Sequence, residues 1–319
     1  DILRTLAMHP IAGGVVIMGL GCENNRLDQL LEGIPPARRT RIVSFNAQEV
    51  SDEEESGREA IEALLEVMKD DRRTPCAASA LRLGMKCGGS DAFSGVSANP
   101  IVGRMTDYLT DRGGMVFLTE VPEMFGAEQQ LMNRAVNQNV YGRIVSMIEE
   151  FKNYFISHGQ PIYENPSPGN KDGGLTTLEE KSLGAVQKGG KAQVTDVLGY
   201  AEKGARSGLN LINAPGNDAV SSTALTAAGA TILLFTTGRG TPLGFPVPTL
   251  KISSNSGLAA RKPGWIDFNA GALVDGEREM EALAADLWAT ILRVASGELT
   301  RNEENDYREI AIWKRGVTL

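Results

Sequence analysis

The chain has 319 residues and a formal net charge of −8, with 42% hydrophobic and 23% charged residues. Its length suggests two domains at about 150 residues each, its composition is that of an ordinary globular protein, and it can bury a core without disulfides or a structural metal. The acidic balance argues against a nucleic-acid partner, which needs basic groups against phosphate; no run approaches about 18 apolar residues, so no membrane span is expected; and 3 cysteines fit a reducing, cytoplasmic compartment better than a disulfide framework.

The chain opens on Asp1 with no charged-then-apolar leader and reads as a fragment or processed product. An apolar run, Val15–Gly19, leads into Gly21-Cys22-Glu23-Asn24, and residues 41–45 read as a second strand. Ser51 with Glu54 has the spacing of a capping box, and Ile61, Leu64, Leu65 and Met68 follow at helical spacing. The charged stretch 69–78 is the best linker, so residues 1–75 form a small β-α-β-α unit and 76–319 a larger α/β domain. There, strand 81–85 runs into Cys87-Gly88-Gly89-Ser90-Asp91, and Asn99-Pro100 suggests an N-cap with proline at the first helical position. Val102, Met105 and Leu109 give that helix its apolar face, strand 115–119 ends at Glu120, and Ile144, Ile148, Phe151 and Phe155 mark a long amphipathic helix. A polar stretch, 165–174, precedes a second capping box, Thr176 with Glu179. Strands 209–212 and 231–235 follow, the latter entering Thr236-Thr237-Gly238-Arg239-Gly240, and a late helix on Leu283, Leu287, Ile291 and Val294 stops at Gly297. This alternation predicts an α/β fold with mostly parallel sheets covered by helices on both faces.

Ligands in such sheets bind beyond the carboxyl ends of the strands. Four loops there carry reactive residues, and parallel strands would open all four toward one edge. Cys22 and Cys87 are candidate metal ligands or thiols, while Glu23, Asp91, Glu120 and Glu123 offer hard oxygens for a divalent cation. Arg239, between two glycines, suits a carboxylate clamp. Lys181, near a helix start, becomes a plausible base if burial lowers its pKa. With only 2 histidines, His9 and His158, paired-histidine zinc motifs are absent. No glycine fingerprint for a nicotinamide cofactor follows the first strand.

Taken in order, several stretches resemble the altronate dehydratase and galactarate dehydratase family of sugar-acid hydro-lyases. They are Gly19-Leu20-Gly21-Cys22-Glu23, Cys87-Gly88-Gly89-Ser90-Asp91, Asn99-Pro100, 120–128, 165–171, 173–177, 180–185 and 235–240. The 165–170 stretch is similar to the altronate branch. The resemblance implies dehydration of an aldonate or aldarate to a 2-keto-3-deoxy acid with iron(II), or else manganese(II). It also implies a sugar-acid substrate, a small β-rich N-terminal domain not in this chain, and a possible homo-oligomer. On that basis Cys22, Glu23, Cys87, Asp91, Glu120 and Glu123 are the metal candidates. Arg239, with Thr237 and Gly238, would bind the substrate carboxylate, and Asn170, Ser90 and Asn99 its hydroxyls. Lys171 or Lys181 would be the base, oriented by Glu180. The alternatives are a galactarate or sulfolactate lyase, or a sugar-acid-binding subunit that needs a partner chain for activity.

Overall fold

The computed structural model describes residues 1–314, so the last five residues of the expected second domain lie outside the described part. The chain divides into a unit Asp1–Pro75 and a larger unit from Cys76 onward. The first contains α1 (Ile2–Ala7), β1 (Val15–Gly19), α2 (Leu27–Glu32), α3 (Pro36–Arg39), β2 (Ile42–Asn46) and α4 (Glu53–Met68). β1 and β2 pair in parallel, from Val15 opposite Ile42 to Gly19 opposite Asn46. Helix α4 starts one residue later than its expected box. Asp52, not Ser51, accepts from the Glu55 amide at 2.9 Å. A carboxylate caps as well as a hydroxyl, and the three glutamates that follow suit the positive end of the helix. Leu64 faces inward, whereas Ile61 and Leu65, expected on the same face, are exposed.

The second unit runs β3 (Arg82–Cys87), α5 (Ala98–Thr110), β4 (Met115–Leu118), α6 (Glu128–Met132), α7 (Gln138–Ser157), α8 (Pro168–Asp172), α9 (Leu178–Val186), β5 (Val194–Leu198), β6 (Gly208–Ile212) and α10 (Asp218–Ala228). It continues β7 (Ile232–Thr237), β8 (Thr249–Ser253), α11 (Ser256–Arg261), β9 (Phe268–Asn269), α12 (Met280–Ala295) and α13 (Arg301–Glu304). The strands form one sheet in the order β5-β6-β4-β3-β7-β8-β9, every pair parallel. The chain builds outward from β3 through β4 on one side and returns through β7 on the other. β3 is therefore the switch point, where open α/β sheets leave a crevice.

Both sheet faces are apolar because both are covered. Successive residues of a strand point to opposite faces. Leu83 and Met85 of β3 and Val116 and Leu118 of β4 join one core with residues of α5, α7 and α12. Phe117, Leu233 and Phe235 join a second core with Ala224, Leu225 and Ala228 of α10. Gly84 makes this close packing possible: a Cβ there would stand 2.5 Å from Leu233 Cδ2.

Two further helix starts differ from the sequence reading. α5 begins at Ala98, before Asn99, so Pro100 is its third residue, where an amide has no helical partner to lose. α9 is capped by Thr177, which accepts from the Glu180 amide at 3.2 Å, one residue beyond the expected box.

Candidate active site

The side chains at the carboxyl end of β3 make the site. Lys86 is fully buried on the α10 side, and Cys87 is buried on the opposite face. Lys86 Nζ donates to Asp218 Oδ1 at 2.7 Å, to the Cys87 carbonyl, and to Glu120 Oε1. Asp218 is the first residue of α10, where the helix N-terminus favours a carboxylate. Glu120 follows β4 and takes a left-handed conformation, with φ at 69°. Side chains other than glycine adopt that region at a cost, and such positions cluster at functional sites. The kink starts a tight turn, Val121–Glu123, that brings Glu123 back beside Glu120. Glu120 Oε2 accepts from the Cys87 amide at 3.1 Å, and Glu123 Oε2 from the Cys87 thiol at 2.8 Å.

α9 supplies two more lysines. Lys181 lies in the helix and Lys188 in the turn after it, seven residues on, about two helical turns and so on one face. Lys188 Nζ donates to Cys87 Sγ at 2.6 Å and pairs with Glu120 Oε2 at 3.4 Å. Lys181 Nζ pairs with Glu123 Oε1 at 3.0 Å and donates to Asn165 Oδ1 at 2.6 Å and Asn170 Oδ1 at 3.0 Å. The result is an alternating chain: Asp218, Lys86, Glu120, Lys188, Cys87, Glu123, Lys181. Both ends border a crevice of about 560 Å³, with Ser90, Asn170 and Arg239 also in its lining.

The electrostatics follow from burial and alternation. Burial alone would lower Lys86, but Glu120 and Asp218 outweigh it and hold the ammonium above the usual lysine range. Lys188 behaves likewise beside Cys87 and Glu120, and Lys181 beside Glu123. Burial would raise Glu123, yet Lys181, Lys188 and Lys86 hold it at about 2. Burial pushes Glu120 up, with Glu123 adding to the rise. Burial, then Glu120 and Glu123, push the Cys87 thiol up, so it stays protonated. Three lysines thus face three carboxyl groups around a protonated thiol, and the cluster carries no excess of negative charge.

Cys87, Glu120 and Glu123 are a possible metal-binding group among the described residues, since their ligand atoms lie within 4.8 Å of one another. As arranged, the group does not fit a divalent ion. Every donor atom already has an ammonium or a hydrogen-bonding partner, and two further positive charges would enter a buried cluster with no excess of negative charge.

The structure brings Cys87, Glu120, Glu123, Lys181, Asn170, Ser90 and Arg239 together. Asp91, Asn99 and Glu180 line an adjoining pocket of about 230 Å³ that shares Ser90 and Lys181 with the crevice, but their polar atoms are already engaged. Asp91 is not with the acidic pair; its carboxylate accepts from Ser94 at 2.9 Å, Ser254 at 2.7 Å and Asn255 at 3.0 Å. Asn99 is spent on Thr236 Oγ1 and the Gly184 carbonyl. Thr237 Oγ1 closes its own turn on the Gly240 amide, and Gly238 makes room for Asp91, whose Cγ a Cβ there would meet at 2.2 Å. Glu180 does not orient Lys181; its carboxylate accepts from the Thr176 amide and hydroxyl. Lys171 is exposed. Cys22 and Glu23 follow β1, which belongs to the separate two-stranded sheet, so the four loops do not share one sheet edge. The Glu23 carboxylate closes its loop on the Leu20 and Gly21 amides; its own amide, then those of Gly21 and Leu20, hold it below the usual carboxylate range. The sequence reading missed Lys86, Lys188 and Asp218. Lys86 was detectable, because a lysine in a strand covered on both faces requires a buried partner.

Fold and site together define a doubly wound α/β protein with a buried ammonium–carboxylate centre at the sheet's switch point. The family model "D-galactarate/Altronate dehydratase, C-terminal" matches residues 78–318, and "D-galactarate dehydratase/Altronate hydrolase, second domain" matches residues 1–69. The chain belongs to the D-galactarate/altronate dehydratase family. It is 52% identical to an altronate dehydratase of Bacillus subtilis (strain 168), covering 100% of this chain and 64% of that protein. It is 51% identical to an altronate dehydratase of Escherichia coli (strain K12), covering 99% and 64%, and 38% identical to a galactarate dehydratase (L-threo-forming) of the same strain, covering 93% and 58%. It therefore spans less than two thirds of the length of these curated relatives.

Proposed function

We propose that the crevice is the dehydration site of a sugar-acid hydro-lyase, taking an altronate-like aldonate to a 2-keto-3-deoxy acid. The observation that carries the reading is Lys181, held between Glu123, Asn165 and Asn170 on the wall of a crevice that Arg239 also lines. Altronate is preferred to galactarate because identity to the altronate dehydratases is 52% and 51%, against 38%.

Dehydration removes a weakly acidic proton next to a carboxylate and expels the neighbouring hydroxyl. The planar guanidinium of Arg239 suits the substrate carboxylate, with two parallel hydrogen bonds. Charge developing on that carboxylate is stabilised by fixed positive groups, and Arg239 and Lys181, both in the crevice lining, provide them. The Asp218 carboxylate, which lines the same crevice, takes the proton next to the substrate carboxylate. Glu123 keeps Lys181 an ammonium, so Lys181 gives its proton to the departing hydroxyl, which leaves as water. This reverses the sequence expectation that Lys181 is the base. The enol left behind moves its hydroxyl proton to the neighbouring carbon and becomes the 2-keto-3-deoxy acid. Iron(II) or manganese(II), implied by the family resemblance, is assigned no step here.

The test is turnover of D-altronate and galactarate at equal concentration by the intact protein, reading the 2-keto-3-deoxy acid. The proposal expects the higher kcat/KM with altronate. Preference for galactarate would move the chain to the other branch, and no product from either would refute the hydro-lyase reading.

A further inference from the structure

Cys87, Glu120 and Glu123 look like a metal triad by residue type, since a thiol and two carboxylates are ligands that iron and manganese accept. Their surroundings point elsewhere. Both oxygens of Glu120 face lysines, Lys86 on Oε1 and Lys188 on Oε2. Glu123 spends Oε1 on Lys181 and Oε2 on the Cys87 thiol, and Cys87 Sγ also receives Lys188 at 2.6 Å. No donor of the triad is left without a cationic or hydrogen-bonding neighbour. Lys86, Lys188, Glu120 and Cys87 are each 2% exposed or less, so solvent ions cannot offset an added charge.

We propose that three lysine ammoniums take the place of a metal ion in this cluster. Lys86, Lys181 and Lys188 are the permanent counter-ions of Glu120, Glu123 and Asp218, and Cys87 is a thiol hydrogen-bonded between Lys188 and Glu123. The ground is the charge balance and the occupied donors. A divalent ion that serves the reaction is held by groups other than this triad. The inference concerns the cluster alone, and its test does not depend on the proposed activity.

The probe is cobalt(II), whose bond to a thiolate gives a charge-transfer band in the near ultraviolet. The intact protein is used with Cys22 and Cys76 changed to serine, alongside the same protein carrying Cys87→Ser. The proposal expects no cobalt–thiolate band that Cys87→Ser removes. It also expects removal of one ammonium, in Lys188→Met, to create such a site, with cobalt affinity at Cys87 at least tenfold tighter. Lys188→Gln replaces Lys188→Met if circular dichroism finds the latter unfolded. A band at one equivalent of cobalt that disappears in Cys87→Ser would overturn the proposal. So would a folded lysine variant with no gain, because ammonium charge would then not be what keeps the ion out.

Discussion

Asp91 carries a buried carboxylate surrounded by neutral donors from three side chains, Ser94, Ser254 and Asn255. From its residue type and loop it was a reasonable metal candidate; its partners make it a brace between the loop after β3 and the end of β8. Asp91→Ala should therefore cost roughly 2–4 kcal/mol, because buried donors lose their acceptor. Urea unfolding checks this, and a change under about 0.5 kcal/mol, the usual size for a surface site, would remove the brace. Lys251 allows a separate test by pH. It is buried on β8 with Nζ on the Thr241 carbonyl at 2.8 Å, and burial lowers its pKa from 10.5 to about 8, against opposing pulls from Asp267 and Glu309. Between those values the unfolded chain holds the proton and the folded chain does not, so stability contributed by this group rises with pH from about 8 to about 10. Lys251→Met should abolish that rise, worth at most about 3 kcal/mol, and should stabilise the fold at pH 7. Thermal unfolding from pH 7 to 10 that is parallel in both proteins would contradict it.

At the scale of elements, β3 joins the packing to the site. Its apolar residues locate it in the middle of the sheet, and its last two residues deliver Lys86 and Cys87 to the carboxyl edge. Gly88 then lets Asp218 approach: a Cβ would stand 2.5 Å from Asp218 Oδ2 and 2.7 Å from Phe235 Cζ. Gly88→Ala should displace Asp218 from Lys86 and lower turnover at least tenfold while circular dichroism stays unchanged; full activity would show that the Lys86–Asp218 pair is dispensable. Most strands and long helices were legible from periodicity. The short apolar run before Lys86 revealed the strand, but reading it as 81–85 stopped one residue short of that lysine. The caps on α4 and α9 slipped by one residue, because adjacent residues at each start offer equivalent oxygens. β5, β8 and α10 went unread; α10 is made mostly of small residues and all eight from Ser221 to Ala228 are buried, so it has no polar face to set a period.

For the whole molecule, the strand order does what no single motif does. Placing β4 and β7 on either side of β3 gathers residues 86–90, 120–123, 218 and 239 at one edge, across more than 150 positions of sequence. That is why Cys87, Glu120 and Glu123 stood among the six metal candidates once the strands were taken as parallel, while Cys22, Glu23 and Asp91 in the same list were not separable from them by sequence. Lys188 and Asp218 were not, because their roles exist only through partners distant in sequence. Among the described residues no helix is long and apolar enough to cross a membrane. On the proposed function, Lys181, on its Asn165, Asn170 and Glu123 supports, is the proton donor of a sugar-acid dehydration. The most direct measurement is D-altronate turnover by the intact protein against its Lys181→Met variant, with folding verified by circular dichroism. Lys181→Met should lose about 10²–10⁴-fold in kcat, the usual contribution of a positioned proton-transfer group; a folded variant that works at the unsubstituted protein's rate would show that Lys181 carries no proton in the reaction.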